Sequence, residues 1–166
     1  MINRLLQAMQ ARLTQELAQL SLQTAGGEGY AAPQVFLGGL PPREPDQPPP
    51  CPYLVLRAGR GGLENGPGPV CQRVEVSLLC GVYAEGDAAA GQEEVLNLVH
   101  ACLSALRRAG ILEGCFELHR QGWSQPEEQN PPYYQARVDT RWRFRLPAVS
   151  PGAEQEVETY GSGYRT

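Results

Sequence analysis

Residues 133–146 read Tyr-Tyr-Gln-Ala-Arg-Val-Asp-Thr-Arg-Trp-Arg-Phe-Arg-Leu, and apolar side chains alternate with polar ones along this stretch. Because successive side chains of a β-strand point to opposite faces, this period of two predicts one long strand that is buried on one face. The predicted buried face, in which Thr140 is the one polar member, carries Tyr134, Ala136, Val138, Thr140, Trp142, Phe144 and Leu146. The other face carries Gln135, Arg137, Asp139, Arg141, Arg143 and Arg145.

The arginine row on the second face consists of Arg137, Arg141, Arg143 and Arg145. It is either a solvated sheet face, or a contact ridge for a neighbouring subunit, or the wall of a channel. Same-face positions lie ~7 Å apart, so these charges repel one another and Asp139 offsets only one of them. We therefore expect carboxylates beside the row, from a neighbouring subunit or from Glu75 and Glu117. Of the functional alternatives we favour the interface, because the net charge is negative and arginine is common at interfaces.

Length and composition indicate one soluble domain. The chain has 166 residues and a formal net charge of −4, and all 14 of its basic residues are arginines. This charge is too small to argue for binding to DNA or to anionic lipid. No apolar run approaches the ~20 residues of a membrane span, and residues 1–22 are too polar for a signal peptide. We expect a soluble protein that is made inside the cell.

Two amphipathic helices are predicted from apolar residues at steps of three and four. The first begins near the N-terminus, runs for about five turns and is followed by glycines at 26, 27 and 29. The second spans 89–109, has Arg107 and Arg108 in its last turn and ends at Gly110. His100 lies beside its apolar stripe, where we expect a partly buried, hydrogen-bonded histidine rather than a metal ligand.

Three further strands are predicted at 53–57, 72–83 and 115–120. In the second of these, Leu79 and Tyr83 are apolar on the otherwise polar face, which indicates that part of this face is also covered, for example by a neighbouring subunit. Short connections favour antiparallel pairing of sequential strands. The sequence thus predicts an α+β two-layer sandwich, with a mostly antiparallel four-stranded sheet and two helices on one face.

Segments rich in proline and glycine separate these elements. Residues 31–40 are ambiguous between strand and anchored loop, and 41–52 hold seven prolines, which predicts a stiff connector. The glycine-rich segment 57–70 predicts a long mobile hairpin loop. We expect a single domain over 1–147 and an extended tail over 148–166. The side chains predicted to contact a partner from these flexible segments are Arg60, Leu63, Tyr160 and Tyr164.

The sequence predicts neither a catalytic site nor a metal or cofactor site. Its five cysteines have no Cys-x-x-Cys pair and predict free thiols: Cys51, Cys71, Cys80, Cys102 and Cys115. Neither histidine has a nucleophile or a carboxylate at the spacing of a catalytic triad, and the glycine-rich segment lacks the Gly-Lys-Ser/Thr of a nucleotide loop. We therefore expect no catalytic residue, no metal site and no cofactor, and a protein that is not an enzyme.

An ordered series of short motifs runs through residues 53–147. These motifs are Gly81-Val82-Tyr83, Val95-Leu96-Asn97-Leu98, Ile111-Leu112 with Gly114, Phe116 and Leu118, then Trp123, Pro126-Glu127-Glu128-Gln129, Pro132-Tyr133, Trp142 and Pro147. In this order they resemble a family of small proteins encoded among the tail genes of long-tailed phages and prophages. The family is that of the tail terminator, or tail-completion, proteins.

This resemblance implies a structural virion protein whose α/β subunits form a hexameric ring. The ring caps the head-proximal end of the tail tube and joins it to the head. The implied partners are further copies of the chain, the tail tube protein and the head–tail connector, with non-specific contact to passing DNA. The implied location is the neck of the virion, and the host cytoplasm during assembly. The alternatives are another connector protein, such as a stopper or adaptor, and a small binding module or enzyme.

Overall fold

The structure is a computed structural model that describes residues 1–147. The predicted tail at 148–166, with Tyr160 and Tyr164, lies outside the described residues. The described elements are α1 (Ile2–Glu16), β1 (Leu22–Gln23), β2 (Tyr30–Ala31), β3 (Gln34–Leu37), β4 (Tyr53–Glu64), β5 (Cys71–Tyr83), α2 (Ala88–Ala109), β6 (Ile111–Leu112), β7 (Phe116–Ser124) and β8 (Tyr133–Arg145).

The main sheet has six strands in the order β3-β4-β5-β8-β7-β6, and it is curled into a half-barrel. β3 runs parallel to β4 and every other neighbouring pair is antiparallel, while β1 and β2 form a separate two-stranded sheet. The prediction of a mostly antiparallel four-stranded sheet is therefore wrong. It omitted the strands β3 and β6, which add one strand to each side of the main sheet.

The parallel pairing of β3 with β4 explains the proline-rich segment. Parallel neighbours need a crossover of a dozen or more residues, because the chain must return to the end of the sheet where it started. Residues 38–52 make this return, and they contain neither helix nor strand. The predicted connector is thus a crossover between two adjacent strands of one sheet.

β8 occupies the centre of the sheet, between β5 and β7. This position was not predicted, because the only expectation for strand order was that sequential strands with short connections pair antiparallel. The predicted alternation is confirmed, since the even-numbered side chains from Tyr134 to Phe144 are buried and the odd-numbered ones are more exposed. Thr140 fits into the apolar face because its hydroxyl donates to the carbonyl oxygen of Val76 at 2.8 Å and accepts from the indole Nε1 of Trp142 at 2.9 Å.

Both helices contribute to the core on this face of the sheet. Leu5, Met9 and Leu13 of α1 and the stripe of α2 from Val95 to Leu106 belong to one buried cluster with the inward side chains of β4, β5, β7 and β8. Asp87 caps α2, its side chain accepting from the N–H of Ala90 at 2.9 Å. α1 ends at Glu16, so it is shorter than the predicted five turns.

A second, smaller apolar cluster lies on the opposite face. Tyr53, Val55 and Tyr83 are buried there together with Cys51, and Leu79 packs against them. The apolar exceptions in β5 are therefore covered by the chain itself rather than by a neighbouring subunit. Gly81 belongs to this arrangement, because a Cβ atom at this position would collide with the ring of Tyr53.

The glycine-rich segment is mostly strand. β4 continues to Glu64 and pairs with β5 along its length, so the prediction of a mobile loop is wrong for residues 57–64. Gly61 is required where β4 approaches β5, since a Cβ atom at this position would collide with the carbonyl oxygen of Arg73. Only residues 65–70 lie outside the two strands.

Truncation of Trp142 tests the role of β8. The ring is fully buried and Phe116 and Phe144 pack in the same cluster, so Trp142→Ala should lower the free energy of unfolding by ~3–5 kcal/mol. Trp123, the other tryptophan, is 52% exposed in the single subunit, and Trp123→Ala should change the stability of the monomer by less than ~0.5 kcal/mol. Denaturant unfolding measures both variants. Equal effects would contradict the central position of β8.

Candidate functional site: a charged sheet face and two open edges

The sheet face opposite the helices, called here the polar face, carries charged residues in rungs across four strands. One rung consists of Arg60, Glu75, Arg141 and Arg120, and the next consists of Gly62, Arg73, Arg143 and Glu117. Residues opposite one another on neighbouring strands point to the same face, so β4, β5, β7 and β8 all contribute to this surface. The arginine row predicted on β8 is therefore one column of a larger charged array.

Glu75 holds two of these arginines. Its carboxylate accepts from Arg60 Nε at 2.8 Å and from Arg141 Nη2 at 2.9 Å. These hydrogen bonds lower the pKa of Glu75 from its ordinary value of 4.5. The prediction that Glu75 accompanies the arginine row is confirmed. Arg60, which was predicted to contact a partner, is thus engaged within its own subunit, although its side chain remains 83% exposed.

Glu64 is the second carboxylate of the polar face. It lies 2.9 Å from Arg143 Nε and 3.9 Å from Arg73 Nη1. Glu117, the other predicted candidate, lies opposite Arg143 in the register but forms no salt bridge in the described part of the chain. Glu64 was missed as a candidate, because residues 57–70 were predicted to form a loop.

The remaining members of the row differ in their surroundings. Arg137 Nε lies 2.9 Å from Asp139 Oδ1, two positions along the same strand. Arg145 has no salt bridge among residues 1–147, and it lies beside a depression of about 390 Å³ under residues 65–69. A second depression of about 460 Å³ lies over the middle of the polar face, bordered by Glu75, Arg120 and Arg141. The Nε atom of Arg141 is buried there without a hydrogen-bond partner in the described residues.

Both lateral sides of the sheet have unpaired strand edges in the described structure. β3 pairs with β4 only over Tyr53–Leu56, so the outer edge of residues 58–64 is free, and we call it the β4 edge. β6 pairs only with Phe116 and Glu117 of β7, and the N–H of Leu118 donates to the carbonyl oxygen of Gly110 at 2.9 Å. Residues 119–124 beyond it form the β7 edge. Such rows of unpaired N–H and C=O groups are templates for pairing with another strand.

Exposed apolar side chains accompany both edges. Leu37 (38% exposed) and Leu63 (59%) lie on the side of β3 and β4, and Ile111 (55%) and Trp123 (52%) lie on the side of β6 and β7. Leu63 was predicted to contact a partner, and its exposure leaves it free to do so. Trp123 was missed as a contact residue because the third predicted strand ended at Arg120, whereas β7 continues to Ser124.

The Pro126–Gln129 motif has a structural role. The side chain of Gln129 donates to the carbonyl oxygen of Gln135 at 2.7 Å and accepts from its N–H at 2.9 Å. The amide therefore occupies the place of a paired strand residue beside β8, just past the end of β7. The motif thus pairs with the edge of β8 beyond the end of β7. On this side of the sheet, the unpaired edge is therefore the β7 edge.

The described residues meet the requirements neither of a metal site nor of a membrane-spanning helix. Among residues 1–147 no group of three or more His, Cys, Asp and Glu side chains is placed to hold a metal ion. His100 is exposed, so the prediction of a partly buried histidine is wrong, and His119 is exposed as well. Neither described helix has the length and apolar character needed to cross a membrane.

Comparison with known proteins adds no assignment: no protein-family model matches the sequence, and a search of curated proteins gave no match.

The lowered pKa of Glu75 predicts that the stability of the protein depends on pH. Because its folded pKa lies below 4.5, the stabilisation from its two arginines is fully present above that value and is lost as the pH falls below it. Glu75→Gln should therefore lower the melting temperature more at pH 7 than at pH 3. Glu93→Gln, at an exposed position of α2, is the control and should give no such difference. An effect of Glu75→Gln that is equal at both pH values would contradict the ion pairs.

The thiols should differ in reactivity. Burial raises the pKa of Cys51 to about 11, and the hydrogen bond with Cys102 together with burial raises that of Cys80 well above its ordinary value. Since the thiolate is the reactive species, iodoacetamide at pH 8 should modify the partly exposed Cys115 first. Intact mass over time measures this order. All five cysteines are free thiols in the structure, and a two-dalton mass shift on reduction would contradict this.

Proposed function

We propose that the protein is a structural virion protein, a tail terminator whose copies form a ring that caps the head-proximal end of the tail tube and joins it to the head connector. The observation that carries the proposal is the sheet with unpaired edges on both lateral sides, each beside exposed apolar side chains. A subunit of this kind has two different surfaces for its own copies, which is the requirement for a ring. The choice of the tail terminator family is supported by the resemblance of the ordered motifs in residues 53–147.

The salt bridges of the polar face favour separate surfaces for the subunit contacts and for the channel wall. The interface was favoured for the arginine row because the net charge is negative and arginine is common at interfaces. Carboxylates for the row were expected from a neighbouring subunit or from the chain itself, and Glu75 and Glu64 supply them to Arg141 and Arg143 within the subunit. We therefore assign subunit contacts to the strand edges and leave the polar face to line the channel. A wall of partly paired charges is hydrated and holds passing DNA more weakly than a row of unpaired arginines would, because carboxylates neutralise part of its positive charge.

Electron microscopy tests the proposal directly. The purified full-length protein should form hexameric rings in negative stain, with the corresponding mass in native mass spectrometry. Gold-labelled protein should bind one end of tubes assembled from the cognate tail tube protein. Rings that bind isolated heads but not tube ends would identify a stopper or adaptor instead. A protein that stays monomeric and binds neither structure would overturn the proposal.

Charge reversal distinguishes the two roles of the polar face. Arg141→Glu with Arg143→Glu should leave rings intact and should impair DNA passage or retention in particles, if the face lines the channel. Loss of rings with a folded monomer would identify the face as the interface. Arg107→Glu, on the exposed side of α2, is the control for added negative charge. Normal rings and fully infectious particles from the double reversal would refute both roles.

A further inference from the structure

We propose that the β4 edge of one subunit pairs with the β7 edge of the next copy, antiparallel and head to tail, so that the sheets of the ring join into one continuous barrel. This inference rests on the proposed ring and names the surfaces that build it. The occupant of each edge is a second copy of this chain.

Strand direction is the first argument. β4, β5, β8 and β7 are neighbours in this order and every pair is antiparallel, so β4 and β7 run in opposite directions. Rotation about a ring axis along the strands keeps each strand direction unchanged. The β4 edge of the next copy therefore arrives antiparallel to β7 and continues the alternation. Antiparallel neighbours also form the stronger hydrogen-bonded ladder.

Matching apolar side chains are the second argument. Leu63 pairs with Gln72, which pairs with Phe144, and Trp123 pairs with Val138. Phe144 and Val138 are both buried on the helix-bearing face, so both exposed side chains belong to that same face of the sheet. Head-to-tail pairing preserves the face, which allows Leu63 of one copy to pack near Trp123 of the next and removes both from water.

Charge sets a condition on the register. Arg60 and Arg120 lie in the same rung, so a level alignment would place them opposite each other across the new contact. Like charges in directly opposed positions are unfavourable. We therefore expect the incoming β4 edge to be displaced along β7. Closure of a sheet into a barrel requires such a stagger in any case.

The opposing interpretation is that the edges are protected against pairing. Each edge has a bulge, between Ala58 and Arg60 and between Leu118 and Arg120, and bulges and charges are common devices against edge association. Each strand nevertheless continues past its bulge with an exposed Leu63 or Trp123, which a protected edge would replace by polar residues. The two interpretations differ in their outcome under cross-linking.

Cysteines at two glycines provide the experiment. A Cβ atom on Gly62 or Gly122 meets nothing within 4 Å, and both residues belong to rungs of the polar face. Gly62→Cys and Gly122→Cys are made separately in a Cys115→Ser background, given different tags and co-expressed. After treatment of the rings with a short bis-maleimide, only products containing both tags should appear. Glu93→Cys, on an exposed position of α2, should give no cross-link with either.

The outcomes separate this inference from the proposed function. Cross-links between two copies of the same variant would show two-fold pairing and overturn the head-to-tail arrangement. Rings without any cross-link would overturn edge pairing and leave the terminator proposal standing. Cross-linked rings that fail to bind tube ends would overturn the terminator proposal and leave edge pairing standing. A monomer would overturn both.

Proline substitution at adjacent edge residues gives a second measurement. Along a strand, successive N–H groups point to opposite sides, so only one residue of the pair Gln121 and Gly122 directs its N–H outward. Gln121→Pro and Gly122→Pro are compared by melting temperature. The variant that retains the melting temperature has lost only an outward N–H and should fail to form rings. Normal rings from that variant would overturn the pairing.

Discussion

Burial of the indole ring of Trp142 at the centre of the sheet constrains the rest of the chain. Its N–H donates to Thr140, which in turn donates to the backbone of Val76, so the ring is buried without an unsatisfied polar group. A shift of β8 by one residue would turn Trp142 to the solvent and bring four arginines into the core. β5 and β7 pair with β8 on either side, so the register of β8 also positions both of them.

The same alternation creates the polar face. The four arginines and Asp139 that β8 directs away from the core share this face with charged residues of β7 and of the β4–β5 hairpin. Glu64 and Glu75 each bridge two arginines that come from different strands, and this connects the hairpin to β8 across the sheet. The positive charge of the face is thus partly neutralised within the subunit. A neighbouring molecule gains little from contacting paired charges, since it would have to desolvate them.

The edges differ from the face in this respect. Backbone N–H and C=O groups along residues 58–64 and 119–124 have no strand beside them in the described structure, and exposed Leu63 and Trp123 accompany them. Water satisfies these groups in the monomer, while a neighbouring strand would satisfy them and bury the apolar side chains as well. In the proposed ring, assembly through the edges would leave both sheet faces available, one for the helices and one to line the channel.

The sequence by itself determined the local elements. The alternation at 133–146 identified β8 and its two faces, and the three- and four-residue steps identified α2 to within one residue. It also indicated Glu75 beside the arginines, because that residue lies on the polar face of a strand with clear alternation.

Tertiary structure decided the rest. Three features depend on contacts between segments that are distant in sequence, which a local periodicity does not report. They are the parallel pairing of β3 with β4, the placement of β8 between β5 and β7, and the strand character of residues 57–64. Glycine normally disfavours strands, but Gly61 is required where the carbonyl of Arg73 approaches, and only the paired strands show this. For the same reason Glu64 and the two open edges were not predicted. An edge is defined by the strand that is missing beside it, which is a property of the assembled sheet.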